Sequence, residues 1–191
     1  MIIIKHRINS VEALKSVSHE FGVEIDIRDR NGKLILSHEP FGNGELLEDF
    51  LKNYRHKFIV FNVKCEGIEK EITRLAEKYN IKDYFLLDVS FPFMVGLSGN
   101  GLTKLAVRFS EFESIETCKN MAGKAEWVWV DCFSKMPLDK ESCKILSKNF
   151  KICIVSPELV GRPQDVDKYV KKLKGFKIDA VCTKMSEKWT K

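Results

Sequence analysis

The sequence contains no long hydrophobic run, and its opening apolar stretch is three isoleucines, Ile2 to Ile4, ahead of Lys5 and His6. A membrane span needs about 20 apolar residues and a signal-peptide core about 7–15. Neither membrane insertion nor export is therefore expected, and a cytoplasmic location is. Cysteine occurs six times, but never as CxxC and never in a Cys/His cluster of zinc spacing. That excludes a zinc ribbon and leaves free thiols in a reducing compartment, with Cys132, Cys153 and Cys182 in apolar runs that read as strand interiors. Proline and glycine are sparse, 5 and 11 in 191 residues, with no Pro/Gly/Ser linker, low-complexity tract or solenoid repeat. A single domain over residues 1–191 is expected. Charge of one sign is also lacking as a block: the formal charge is +5, but Lys and Glu interleave along the helical segments. Nucleic acid is not an expected partner. The lysines from Lys168 to Lys177 are punctuated at helical spacing by Tyr169, Val170, Leu173 and Phe176, which is the pattern of a solvated helix face.

What the chain does have is 44% hydrophobic and 31% charged residues, the composition of a folded globular protein. Eight β-branched, apolar runs read as strands: Ile2 to Lys5, Val23 to Ile27, Lys57 to Val63, Tyr84 to Val89, Leu105 to Phe109, Trp127 to Phe133, Lys151 to Val155 and Ile178 to Thr183. Amphipathic stretches alternate with them. The first is capped by Asn9 or Ser10, with Glu12 placed to bond back, and stopped by Gly22; it takes in His19. The others are Glu45 to Tyr54, Ile68 to Tyr79, Ser114 to Met121, Asp139 to Phe150 and Pro163 to Leu173. Phe91 to Lys104, rich in glycine, reads as a loop with at most one turn. Asn31-Gly32 marks a tight hairpin after strand two, with Lys33 to Ser37 as its return strand. Repeated βα units define an α/β fold, a compact (β/α)8 TIM-type barrel with short loops, a β-hairpin after strand 2 and a vestigial last helix.

In such barrels the reacting groups stand at the C-terminal ends of strands. Strand one ends in His6-Arg7, strand two contains Glu24-Ile25-Asp26, the hairpin ends in His38-Glu39, and strand three ends in Asn62-Val63-Lys64. Glu24 and Asp26 share one face of their strand. Buried together they repel unless a cation or proton lies between them, and a hard divalent ion, Mg²⁺ or Ca²⁺, answers that need; on a solvated edge strand they simply face water. His6 and His38 stand at strand ends, whereas His56 falls near the end of the second helix. A pair of imidazoles can divide proton removal from proton donation. Arg7 and Lys64 supply fixed positive charge for a phosphoryl group.

In this order the motifs resemble the glycerophosphodiester phosphodiesterases of the phosphatidylinositol-phospholipase-C-like barrel group, whose pattern is His-Arg, Glu-x-Asp, a hairpin ending His-Asp, and Glu-x-Lys. The last strand, Ile178 to Thr183, is similar too. The resemblance implies a metal-dependent phosphoric diester hydrolase. His6 and His38 become acid and base, Glu24, Asp26 and Asn62 the metal set for Mg²⁺ or Ca²⁺, with Mn²⁺ also admissible, and Arg7 and Lys64 the phosphate contacts. It also implies attack by a neighbouring substrate hydroxyl, giving a cyclic phosphate that is then hydrolysed. The substrate expected is a small phosphodiester or a phosphodiester-bearing polymer. Glu39, Arg108, Trp129, Asp131, Glu158 and Arg162 are candidate pocket residues. Three departures stand out. Asn62 occupies the place of a third carboxylate, Glu39 that of an aspartate, and the stretch from His6 to Glu24 lacks the family's Gly-rich and Pro-Glu-Asn-Thr segment. A phospho-ligand-binding barrel without turnover, or a lyase that stops at the cyclic phosphate, are the alternatives.

Overall fold

The computed structural model describes residues 1–190. The strands are β1 (Ile2–Lys5), β2 (Gly22–Arg30), β3 (Lys33–Leu36), β4 (Phe58–Val63), β5 (Tyr84–Leu87), β6 (Ala106–Phe109), β7 (Trp127–Val130), β8 (Lys151–Val155) and β9 (Ala180–Thr183). The helices are α1 (Val11–Ser16), α2 (Leu47–Asn53), α3 (Glu69–Lys78), α4 (Phe91–Gly99), α5 (Ile115–Asn120), α6 (Lys140–Leu146), α7 (Val166–Lys172) and α8 (Ser186–Trp189). All eight runs picked out from the sequence are strands, β3 is the hairpin return, and α8 is a single turn. The alternation is that of a TIM-type α/β barrel.

The described residues form two compact units, Lys5–Gly96 and Met1–Ile4 with 97–190. In the first, β4 lies between β2 and β5 and runs parallel to both, while β3 turns back antiparallel along the end of β2. Ile25, Ile27, Phe50, Phe61, Ile72 and Phe85 are sealed in its core. In the second, the order is β1-β9-β8-β7-β6, and β6 to β9 pair in parallel. Val128, Ile152, Ile154, Leu146 and Val181 are fully buried there. All six cysteines are free thiols, and among the described residues no helix is long and apolar enough to cross a membrane.

The structure corrects three expectations. Phe91–Gly99 is a helix, not a loop. Its residues are apolar all round, so no 3.6-residue alternation announces it; Pro92 is compatible with a first turn, and burial of Met94 and Leu97 anchors it. The first helix ends at Ser16, so His19 lies in the turn beyond it and Gly22 opens β2 instead of closing the helix. Finally, Ser10 alone is the cap, its Oγ accepting from Ala13 N at 3.1 Å. Asn9 is engaged elsewhere.

Candidate active site

Glu24 and Asp26 alternate with Ile25 and Ile27 along β2, and both carboxylates are buried, each residue only 1% exposed. The solvated-edge alternative for this pair is thereby removed. Parallel pairing sets Asn62 of β4 directly beside Asp26. Asn62 Nδ2 donates to Glu24 Oε1 at 2.8 Å, and the backbone N–H of Arg7 donates to Glu24 Oε2 at 2.8 Å. Burial and the neighbouring charge of Asp26 push the Glu24 carboxyl up to about 7 against the pull of these donors and of Lys64.

Strand β1 delivers two groups onto this pair. His6 Nε2 lies 3.9 Å from Glu24 Oε2 and Arg7 Nε 3.7 Å from Asp26 Oδ2. Arg7 has φ +60, a left-handed backbone that a long side chain rarely adopts, and in it the residue's N–H meets Glu24. From β4, Lys64 Nζ stands 3.5 Å from Asp26 Oδ1 and 3.2 Å from Asp88 Oδ2. Asp88, just past β5, also has φ +60. Asn9 holds Asp26 from two sides, its Nδ2 donating to Oδ2 at 2.8 Å and its Oδ1 accepting from Asp26 N at 2.9 Å.

The hairpin returns His38 to the same unit. Its Nδ1 meets Glu39 Oε1 at 2.6 Å. Hydrogen bonding and charge from His38, then Arg7 and Arg28, hold the Glu39 carboxyl below its usual range. Arg28 Nε and Nη2 bond the His38 carbonyl at 3.2 and 2.9 Å, and Nη1 the Lys64 carbonyl at 2.8 Å. Three features escaped sequence reading: Arg28, Asp88, and the two hydrogen bonds between Asn9 and Asp26. Arg28 had a signal, since it continues the every-second-residue series from Glu24 and Asp26; Asp88 had only its place at the end of the β5 run.

Among the described residues no group of three or more His, Cys, Asp or Glu is disposed to hold a metal ion. Two carboxylates plus an amide nevertheless fit a hard cation. Asn62 Oδ1 is buried with no hydrogen-bond partner beside the Glu24 and Asp26 carboxylates, an oxygen left over for such an ion.

The remaining candidates lie in the second unit. Arg108 on β6 pairs with Asp131, which also accepts from Trp129 Nε1 at 3.2 Å. Burial raises the Asp131 carboxyl to about 6, with Arg108 opposing. Glu158 is bound by Ser156, Thr183 and the N–H of Lys184, and Arg162 by the Cys132 carbonyl, Asp165 and Tyr169. These last two tie loops together. A cavity of about 780 Å³ opens at the N-terminal ends of β4 and β5, lined by Tyr54, Arg55, His56 and Lys57 among others, and none of the site residues above reaches it. His56 there is a structural histidine, its Nε2 on the Val17 carbonyl at 2.9 Å.

Fold and site thus define an α/β barrel of TIM type with a buried carboxylate pair faced by an imidazole and cations. The glycerophosphodiester phosphodiesterase of Agrobacterium tumefaciens str. C58 has this fold, with a TM-score of 0.68 and 13% identity over 95% of this chain and 96% of that one. So does a glycerophosphoryl diester phosphodiesterase from Parabacteroides distasonis ATCC 8503, with a TM-score of 0.65 and 10% identity over 96% of this chain and 82% of that one. No protein-family model matches the sequence, and no curated protein does.

Proposed function

We propose that the chain is a phosphoric diester hydrolase resembling the glycerophosphodiester phosphodiesterases. The observation that carries this reading is the buried Glu24–Asp26 pair with His6 on one carboxylate and Arg7 and Lys64 on the other. Arg7 and Lys64 bind the phosphate oxygens and draw charge from phosphorus as the attacking oxygen arrives. One of His6 and His38 takes the proton of the attacking hydroxyl, and the other returns a proton to the departing alkoxide. Glu39 orients the His38 ring through its 2.6 Å contact. A Mg²⁺ or Ca²⁺ ion held by Glu24, Asp26 and Asn62 Oδ1 would supply Lewis acidity toward the phosphate oxygens. Attack by a neighbouring hydroxyl of the substrate gives a cyclic phosphate, which water then opens.

The test is a panel of glycerophosphodiesters and a chromogenic diester, assayed with and without Mg²⁺, Mn²⁺ or Ca²⁺. Turnover of at least one member is expected, and none at all would overturn the proposal. Phosphorus NMR of the product separates hydrolase from lyase. A phospho-ligand-binding barrel is the second reading, favoured by the Lys64 ammonium, which stands 3.5 Å from Asp26 as an internal cation. Calorimetric binding of a diester without turnover would select it.

A further inference from the structure

The five exposed phenylalanines all stand on segments that follow the C-terminal ends of strands. In the unit Lys5–Gly96 these are Phe41, beyond the hairpin, and Phe91 and Phe93 on α4; in the other unit Phe112 follows β6 and Phe133 follows β7, their rings 6.0 Å apart. The first group lies close in sequence to residues of the site. Phe41 is three residues from His38, and Phe91 three residues from Asp88, which holds Lys64.

Phe41 is presented, not left loose. Ser37 Oγ donates to the Glu39 carbonyl at 2.9 Å, Arg30 Nη1 to the Gly42 carbonyl at 2.8 Å, and Leu36 N to the Glu45 carbonyl at 2.9 Å. Gly44 packs so closely that a Cβ there would lie 2.0 Å from the Leu36 carbonyl oxygen. Between these ties Phe41 takes φ +63 with its ring wholly in solvent. A bulky residue in that backbone region, burying nothing, has no stabilising role inside the chain. Helix α4 repeats the theme. In a chain that is 31% charged, no charged residue occurs between Asp88 and Lys104, and Phe91, Phe93 and Val95 face outward. Helices apolar on every side are normally enclosed by protein or lipid.

We infer that this end of the unit docks on a zwitterionic phospholipid surface, and that the site takes its phosphodiester from amphiphiles in that surface, an inference resting on the phosphodiesterase reading above. Phosphate-directed cations flanked by exposed phenylalanines complement a molecule with a phosphodiester head and an apolar tail. A protein partner fits less well, because Phe41 and the segment from Val89 to Thr103 include no Trp, Tyr or Arg, the residues that carry most of the binding energy at protein interfaces. The uncharged segment from Val89 to Thr103 points to a lipid without net charge, unlike the polybasic segments that recognise anionic leaflets.

The test is flotation of the full chain with phosphatidylcholine vesicles, at low and high salt. Wild type is expected to float equally at both. Phe41→Ser, and separately Phe91→Ser with Phe93→Ser, should each lower the partition coefficient about tenfold or more, with turnover of a soluble chromogenic diester unchanged. Failure of wild type to float, loss of binding in salt, or unchanged flotation of the variants would overturn the inference. So would a dimer in analytical ultracentrifugation that the α4 variant breaks, which would assign the patch to a second copy of the chain. Flotation without turnover of any diester would remove the hydrolase reading while leaving the docking surface in place, and turnover of the soluble diester without flotation would do the reverse.

Discussion

Arg28 grips the backbone carbonyl of His38 with two nitrogens and reaches the carbonyl of Lys64 with a third. One planar guanidinium therefore fixes the chain segments carrying an imidazole and an ammonium of the site. A lysine offers a single nitrogen and cannot span both. Arg28→Lys is expected to lower kcat/KM at least about tenfold, with KM for the diester rising because Lys64 is released as well. Arg28→Lys kinetics matching wild type would show that neither segment depends on the clamp.

Replacing His6 or His38 by Ala is expected to cost about 10²–10⁴ in turnover while leaving the thermal midpoint little changed, since neither side chain belongs to the apolar core. The check is steady-state kinetics beside a circular-dichroism melt. Near wild-type kcat for His38→Ala, on a substrate whose leaving group needs a proton, would sink the two-histidine mechanism.

Asn62→Glu adds a carboxylate beside the Asp26 position, where the buried amide oxygen has no hydrogen-bond partner. Divalent ion affinity should rise on the added charge, by about tenfold or more, read by calorimetric titration of Mg²⁺ or Ca²⁺. The effect on turnover can run either way, because a better neutralised ion is a weaker Lewis acid. Equal or weaker affinity in a folded variant would remove Asn62 from any metal set.

Asp131 should make stability fall as pH rises. Its folded pKa is about 6 against an ordinary 3.8, so between those values the folded state binds the proton more strongly than the unfolded one. The contribution is present below the ordinary pKa and is lost as pH rises through the folded one. Asp131→Asn removes this slope, so the variant should gain about 2 kcal/mol on wild type between pH 4 and pH 7. Urea melts at the two pH values decide, and parallel profiles would show that Arg108 fully compensates the buried charge.

The strands were legible because a parallel sheet covered by helices is apolar on both faces, so Ile-Val-Phe runs such as Phe58–Val63 stand out from their surroundings. Most misplaced ends have one cause. Trp127 to Phe133 reads as one run, yet β8 pairs only as far as Val130, so Asp131 to Phe133 leave the strand. The pairing that ends a strand lies in another part of the chain. The same holds for the site. Glu24-x-Asp26 and its surroundings carry a local pattern, whereas Asn9 on Asp26 spans 17 residues and Arg28 on Lys64 spans 36. Helix α4 was missed for the opposite reason, having no alternation to read.

Among the strands β3 pairs only with β2, and it lies off the path of the others. Its removal would cost the parallel sheet no internal neighbour, yet would take His38 with it. His38 and Glu39 thus stand apart from the parallel strands, whereas His6, Arg7, Glu24, Asp26, Asn62 and Lys64 stand on them or just past their ends. An exchange of the segment between Arg28 and Leu46 amounts to fitting a different tool to the same handle, on condition that apolar residues still fill the buried places of Ile35 and Leu36.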